Sequence, residues 1–338
     1  MPRLLLVFLL LVLAPAAGAA RPEPAVSIFY YPWYGTPVLD GSYQHWQQGG
    51  HLPPRDIASD YYPARGAYSS GNPRVVDAQM RELARAGVGE VVSSWWGWGS
   101  VEDRRLPLVV QAAQAHGMTV AVQLEPYDPR NAPYLNRSAQ SVAADLGHLR
   151  ELGIARVYVY APFSDVSDVA WASINAAEPG IQLLAQTANV TRAAADGFAG
   201  VYTYDIVRYG SSSFDQICRR AHAAKLACAP SVGPGFEADR ATGDAQSKPR
   251  RDGRTYDDMW SAAIRAGADR VTITSYNEWH EGTQIEPASA AGSRTLAMSP
   301  TLELRYQTYD GAYGLRGRTA AHAYLERTAY WVSRYSGR

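Results

Sequence analysis

The segment Tyr276-Asn-Glu-Trp-His-Glu-Gly282 sets two carboxyl groups, Glu278 and Glu281, three residues apart among ring-bearing side chains. Cleaving a glycosidic bond takes one carboxyl group to protonate the leaving oxygen and another to act as base or nucleophile. A wall such as Tyr276, Trp279 and His280 raises the pKa of a neighbouring carboxyl, as a general acid working near neutral pH requires. Taken alone, either acid could be a solvated loop charge or a helix-start charge. Together, at the end of an apolar strand, they read as a catalytic pair. Glu125, just before Pro126, is a third candidate and reads equally as a loop acid or a substrate contact.

Other chemistries lack their parts. His280-Glu281 has no second His one helical turn on, so the zinc protease pattern is missing. His45 and His51 flank a Gly-rich stretch without a convergent set of carboxylates, so no metal site is expected. No nucleophile elbow is present, and no Gly-rich phosphate turn follows any strand, so neither a serine hydrolase nor a cofactor is expected. Lys+Arg and Asp+Glu are equal at 32 each, which leaves no net field to attract nucleic acid or an anionic membrane. Nine Trp and 22 Tyr against 6 Phe favour flat rings with polar edges, suited to stacking on the C–H faces of sugars.

These residues need a frame, and the chain supplies a regular one. Apolar, β-branched runs at Val26–Tyr31, Glu90–Trp95, Met118–Leu124, Arg156–Tyr160, Ile181–Gln186, Gly200–Tyr204, Leu226–Ser231 and Arg270–Ser275 read as strands. Between them lie helical patterns over Pro73–Ala86, Arg105–His116, Ser138–Leu152, Val169–Ala177, Thr191–Ala195, Ser213–Lys225 and Asp257–Ala266, with Ala320–Tyr335 closing the series. Eight alternating units predict an α/β fold, a single (β/α)8 TIM barrel over 20–338 with long βα loops forming the cleft. An open doubly wound sheet is the alternative, without a phosphate turn to support it. Barrel chemistry sits at the C-terminal ends of the strands. Those ends carry Tyr31, Trp33 and Tyr34; Trp95, Trp96 and Trp98; Glu125, Tyr127 and Asp128; Tyr204 and Asp205; and the Tyr276–Glu281 run. Trp95 and Trp96 point to opposite faces, so at most one looks into the mouth. Tyr127, Asn277, Trp279 and His280 are taken as substrate contacts beside the two acids.

Residues 1–19 read as a signal peptide: Arg3, an apolar run Leu4–Leu13, then Ala17-Gly-Ala19. No Cys follows it to carry a lipid, and no later segment is long and apolar enough to span a bilayer. The mature protein is expected to be a periplasmic or secreted monomer. Cys218 and Cys228 could form a bridge or remain two buried thiols.

The assembled residues resemble the family 99 glycoside hydrolases, the endo-α-1,2-mannosidases and endo-α-1,2-mannanases. The likeness runs from about Val26 to Trp331 and includes Phe29-Tyr-Tyr-Pro-Trp-Tyr-Gly35, Asp40-Gly-Ser-Tyr-Gln-His-Trp46, Ser94-Trp-Trp96, Glu125-Pro-Tyr127, Gly200-Val-Tyr-Thr-Tyr204 and Pro230-Ser-Val-Gly-Pro-Gly235. Its longest stretch is Ile273–Glu286. The resemblance implies an oligo- or polysaccharide substrate of α-mannan type and retention without a carboxylate nucleophile. By motif position it makes Glu278 the base acting on the sugar's 2-hydroxyl, and Glu281 the general acid and then the base for water. It likewise makes Tyr31, Trp96, Glu125 and Tyr204 subsite residues. Tyr209 matches a further active-site Tyr, although Asp205–Ser213 is shorter than the family's usual loop. Trp at position 96 is the mannanase-like choice, where animal members carry Tyr. Two other readings stand beside this one: a catalytically silent glycan-binding barrel, which would keep the aromatics and lose an acid, and a barrel hydrolase of another glycan specificity.

Overall fold

The β-branched runs form parallel strands, each covered by the helix that follows it. A computed structural model describes residues 25–128, 137–166, 169–290, 296–299, 302–304 and 306–337, so the leader expected at 1–19 lies outside the described residues. The strands of the main sheet are β1 (Val26–Tyr30), β2 (Glu90–Trp95), β3 (Thr119–Leu124), β4 (Arg156–Val159), β5 (Gln182–Gln186) and β6 (Gly200–Tyr202). They continue with β7 (Ala227–Ala229) and β8 (Ser231–Val232); a hairpin of β9 (Phe236–Ala238) and β10 (Asp244–Lys248) intervenes before β11 (Val271–Ile273). The order β7-β6-β5-β4-β3-β2-β1-β11-β8 is parallel at every step. β7 and β8 are the two halves of one strand interrupted at Pro230, which has no N–H for the ladder. The Pro230 carbonyl still accepts from the Thr272 amide at 3.1 Å. The sheet therefore closes through Pro230 into the eight-unit barrel, as the alternation predicts.

Helix boundaries follow local chemistry. Asn72, Ser100, Ser138 and Asn189 each accept a backbone N–H of the first helical turn, starting helices at Pro73, Val101, Ala139 and Val190. The Ser100 cap moves the second helix, Val101–Ala115, four residues upstream of the expected Arg105. The seventh, Arg254–Arg265, also begins earlier than expected. The hairpin β9–β10 and the pair Leu296–Ser299 and Leu302–Leu304 are strands that the sequence pattern does not announce. They are short additions to the barrel's βα loops.

Inside the barrel three layers can be told apart. At the N-terminal end Glu90 forms a buried ion pair with Arg156 and accepts from the hydroxyls of Ser27 at 2.7 Å and Tyr158 at 3.0 Å. Above this polar plug the rings of Phe29, Tyr158 and Tyr202 meet with centroids 5.1–5.8 Å apart. The third layer, at the C-terminal ends, holds the site described below.

Cys218, on the helix Phe214–Ala223, is bonded to Cys228 in β7, so the bridge forms and the alternative of two free thiols falls away. It staples a helix to the strand that follows it. In the chain-entropy account a loop of this length contributes about 3 kcal/mol. Cys218→Ala or full reduction is expected to lower the thermal midpoint measurably; superimposable melts with and without reductant would show that the bridge is absent in solution.

Candidate active site

The loop after β11 carries the two acids, and its shape is set from beneath. Glu286 is fully buried and takes four hydrogen bonds, each 2.8 Å: from Arg65 Nε and Gln79 Nε2 on Oε1, and from Tyr68 Oη and Trp279 Nε1 on Oε2. The Asn277 amide oxygen accepts from the Tyr31 amide at 2.7 Å, and its nitrogen donates to the Tyr31 carbonyl at 3.0 Å and to Tyr68 Oη at 3.2 Å. Gly282 has φ +61, and a Cβ there would lie 2.9 Å from the Glu237 carbonyl, so only glycine fits this turn. Asn277 and Trp279 are thus structural: both are fully buried, with their polar atoms spent inside the protein. This corrects the expectation that they touch substrate.

A cleft of about 430 Å³ opens at the C-terminal mouth. It is lined by Tyr31, Trp96, Glu125, Tyr127, Tyr204, Glu278, His280 and Glu281, all expected from the sequence. Trp33, His45, Gln48, Gln123, Tyr160 and Thr242 complete it. Tyr160 ends the fourth strand segment and Trp33 follows the first, so the rim rule already covers their positions. Gln123 is a polar residue near the end of an apolar strand. Thr242 enters from the hairpin, for which the sequence carries no signal. Tyr209 is not among the lining residues: it is half-buried, its amide bonds the Asp205 carbonyl at 2.9 Å, and Arg208 lies over its ring. The expectation that Tyr209 contacts substrate thus finds no support in the lining of this cleft. Of the Trp pair, Trp96 faces the cleft and packs on Tyr127 at 5.0 Å, while Trp95 points outward and donates to Asp103 at 3.0 Å.

The electrostatics of the mouth follow from burial. Among the described residues lining it there is no Lys or Arg, so little offsets the cost of a buried carboxylate. Burial, opposed by donors from Ser94 and Gln123, pushes the Glu125 carboxyl up to about 8. Burial also raises Glu281 to about 7, against the stabilising hydroxyl of Tyr204, with Asp205 and Asp244 adding to the rise. Glu278 is raised well above the ordinary range by burial first and by the charge of Glu281 second. Two buried acids that repel one another titrate as a unit, and near neutral pH the pair favours holding a proton between them.

Each acid is aimed by neighbours. Glu278 Oε1 accepts the His280 amide at 3.0 Å, while Oε2 is buried without a partner. His280 Nε2 donates to the His45 carbonyl at 2.9 Å, and burial lowers the ring's pKa to about 4, so it stays neutral. Glu281 Oε2 accepts from Tyr204 Oη at 3.1 Å, and Tyr31 Oη completes this relay with a short bond to Tyr204. Glu281 also faces a smaller cavity of about 180 Å³ lined in part by Asp205, Asp244 and Gln246. A free carboxyl oxygen on one acid and a hydroxyl-tuned carboxyl on the other can move two protons about one bound group.

Comparison with known proteins places this geometry. The family model described as "Glycosyl hydrolase family 99" matches residues 23–337. The chain is 31% identical to the glycoprotein endo-alpha-1,2-mannosidase-like protein of Danio rerio, over 92% of this chain and 78% of that protein. It is 28% identical to the glycoprotein endo-alpha-1,2-mannosidase of Mus musculus, over 91% of this chain and 74% of that protein. Among solved structures it is similar to the GH99 endo-alpha-mannosidase of Bacteroides thetaiotaomicron, with a TM-score of 0.78 and 27% identity, covering 93% of this chain and 98% of that one.

The raised acids couple folding to pH. Glu125 and Glu281 move from an ordinary 4.5 to about 8 and about 7, so the folded chain keeps protons that the unfolded chain releases. Their stabilising contribution is complete below the unfolded value and is lost as pH rises through the folded values. The thermal midpoint is expected to fall between about pH 5.5 and about pH 8.5, with Glu125→Gln flattening part of the fall. Melts across this range check it; a midpoint that rises, or a slope unchanged by the substitution, contradicts the assignment.

Proposed function

The chain belongs to glycosyl hydrolase family 99, and on that premise we propose that it cleaves internal α-1,2-mannosidic bonds of α-mannan or a mannose-rich glycan with retention. The observation that carries this reading is the pair Glu278 and Glu281 in one aromatic cleft, one with an unpartnered oxygen and one held by Tyr204. The names of the relatives supply the linkage.

In an α-mannoside the axial 2-hydroxyl lies anti to the axial leaving group at C1. Glu278 Oε2 takes the 2-hydroxyl proton, O2 attacks C1, and the departing oxygen receives the proton of Glu281. The product is a 1,2-anhydro sugar. Glu281, now ionised, takes a proton from water as that water attacks C1; the C1–O2 bond breaks and Glu278 returns its proton to O2. Two inversions sum to retention, and both acids end as they began. Tyr204 and Tyr31 stabilise the ionised form of Glu281 between the two steps. The neutral His280 orients its neighbour through its backbone N–H without adding charge. Trp96 and Tyr127 offer ring faces for the neighbouring sugar. Trp at position 96 favours α-mannan over a glucosylated mannose substrate. The leader-like 1–19 and the Cys218–Cys228 bridge support action outside the cytoplasm.

Purified protein incubated with α-1,3/α-1,2-linked manno-oligosaccharides and with the glucosylated counterpart is expected to release products that first appear with retained configuration, the mannan type faster. Cleavage of neither, or an inverted product followed by NMR, would overturn the proposal. Glu278→Gln is expected to cut kcat by at least about 1,000-fold while leaving substrate binding close to wild type; retained turnover would mean that another group is the base.

A further inference from the structure

Gln123 lies on β3, where Thr119, Ala121 and Gln123 share one face and the opposite residues Val120, Val122 and Leu124 share the other. Its side chain lines the cleft and is 1% exposed. Its amide nitrogen donates to Glu125 Oε1 at 3.0 Å, and its amide oxygen is buried with no partner. The same Glu125 oxygen accepts Ser94 Oγ at 2.8 Å. The amide is assigned with its nitrogen toward Glu125; with the carboxyl ionised or protonated on Oε2, turning it over would set oxygen against oxygen.

Both donors converge on Oε1, so a proton on Glu125 belongs on Oε2, the other oxygen of the carboxyl. The raised pKa of Glu125 is consistent with that proton being held at neutral pH. The floor of the cleft then offers one donor, Glu125 Oε2–H, beside one acceptor, the Gln123 carbonyl. A buried carbonyl without a partner is disfavoured unless something supplies a hydrogen, and the cleft is open for a sugar hydroxyl to do so.

We propose that Gln123 is a specificity-determining residue whose side-chain carbonyl accepts a hydrogen bond from one hydroxyl of the sugar ring held against Glu125, so that the two side chains together read two hydroxyls of one ring. This rests on the glycosidase reading above and names the residue that discriminates within it. A site built around such an acceptor rejects a ring lacking the matching hydroxyl, because the carbonyl is then left unpaired.

The test is a panel of manno-oligosaccharides, each with one hydroxyl replaced by hydrogen, assayed for kcat/KM and for binding by calorimetry with wild type, Gln123→Leu and Gln123→Glu. In wild type one member is expected to lose about 10- to 100-fold. In Gln123→Leu the parent sugar loses a similar factor and that member loses nothing further. Gln123→Glu keeps an acceptor oxygen and is expected to keep the penalty. It also serves if the leucine variant fails to fold. Penalties unchanged in Gln123→Leu would mean that the carbonyl faces the barrel interior, where the Tyr202 hydroxyl is also unpartnered, and would overturn the proposal. If wild type cleaves neither parent nor panel, the glycosidase reading fails; calorimetry on the same proteins still reports the coupling, and its absence there overturns this inference separately.

Discussion

A single buried carboxylate organises the mouth of this barrel. Glu286 takes four donors, and those donors come from three places: the long loop after β1 twice, through Arg65 and Tyr68, the helix Pro73–Arg85 through Gln79, and its own loop through Trp279. A buried charge is tolerated only when its lone pairs are filled, so each donor is held where the carboxylate needs it. Arg65 reaches on to Glu82, which also accepts the Tyr276 hydroxyl at 2.6 Å, and Tyr30 donates to Gln79 at 2.7 Å. The first and last units of the barrel are thereby tied to one another beneath the acids. Glu278 and Glu281 inherit their directions from that tie, because Asn277 and Trp279 between them are locked in it.

Above the tie, the chemistry depends on an imbalance. Glu286 has an arginine; the acids of the cleft have none among the lining residues. Burial presses all four carboxyls toward the neutral form, but at Glu286 the charge of Arg65 and the donors of Gln79 and Tyr68 oppose it. The contrast between structural and reactive glutamates is a matter of which donors reach them, since all four are buried.

Much of this was legible in the residues. The alternation of β-branched runs with capped helices fixes the barrel, and the rim rule finds Tyr31, Trp96, Glu125, Tyr204 and the two acids without a structure. What could not be read is of two kinds. Asn277 and Trp279 carry the chemistry of substrate contacts and stand beside the acids, yet they serve partners 200 or more residues away or seven residues on. No local pattern separates a polar group that faces a ligand from one that faces Glu286. The hairpin β9–β10 is the second kind: it is short and polar, and it brings Thr242 to the cleft through backbone pairing that side-chain periodicity does not record.

The layer of edge-to-face and tilted rings of Phe29, Tyr158 and Tyr202 stands between the Glu90 plug and the cleft. It acts as an insulating partition: the ion pair below is neutralised on its own side, and the acids above titrate against one another. The Glu90 ion pair is thus kept apart from the groups that set the reactivity of the mouth. Substitutions at the mouth can then redirect which glycan is cut while the foundation bears the structural load, which makes this scaffold suited to acquiring new specificities by exchange of its upper loops.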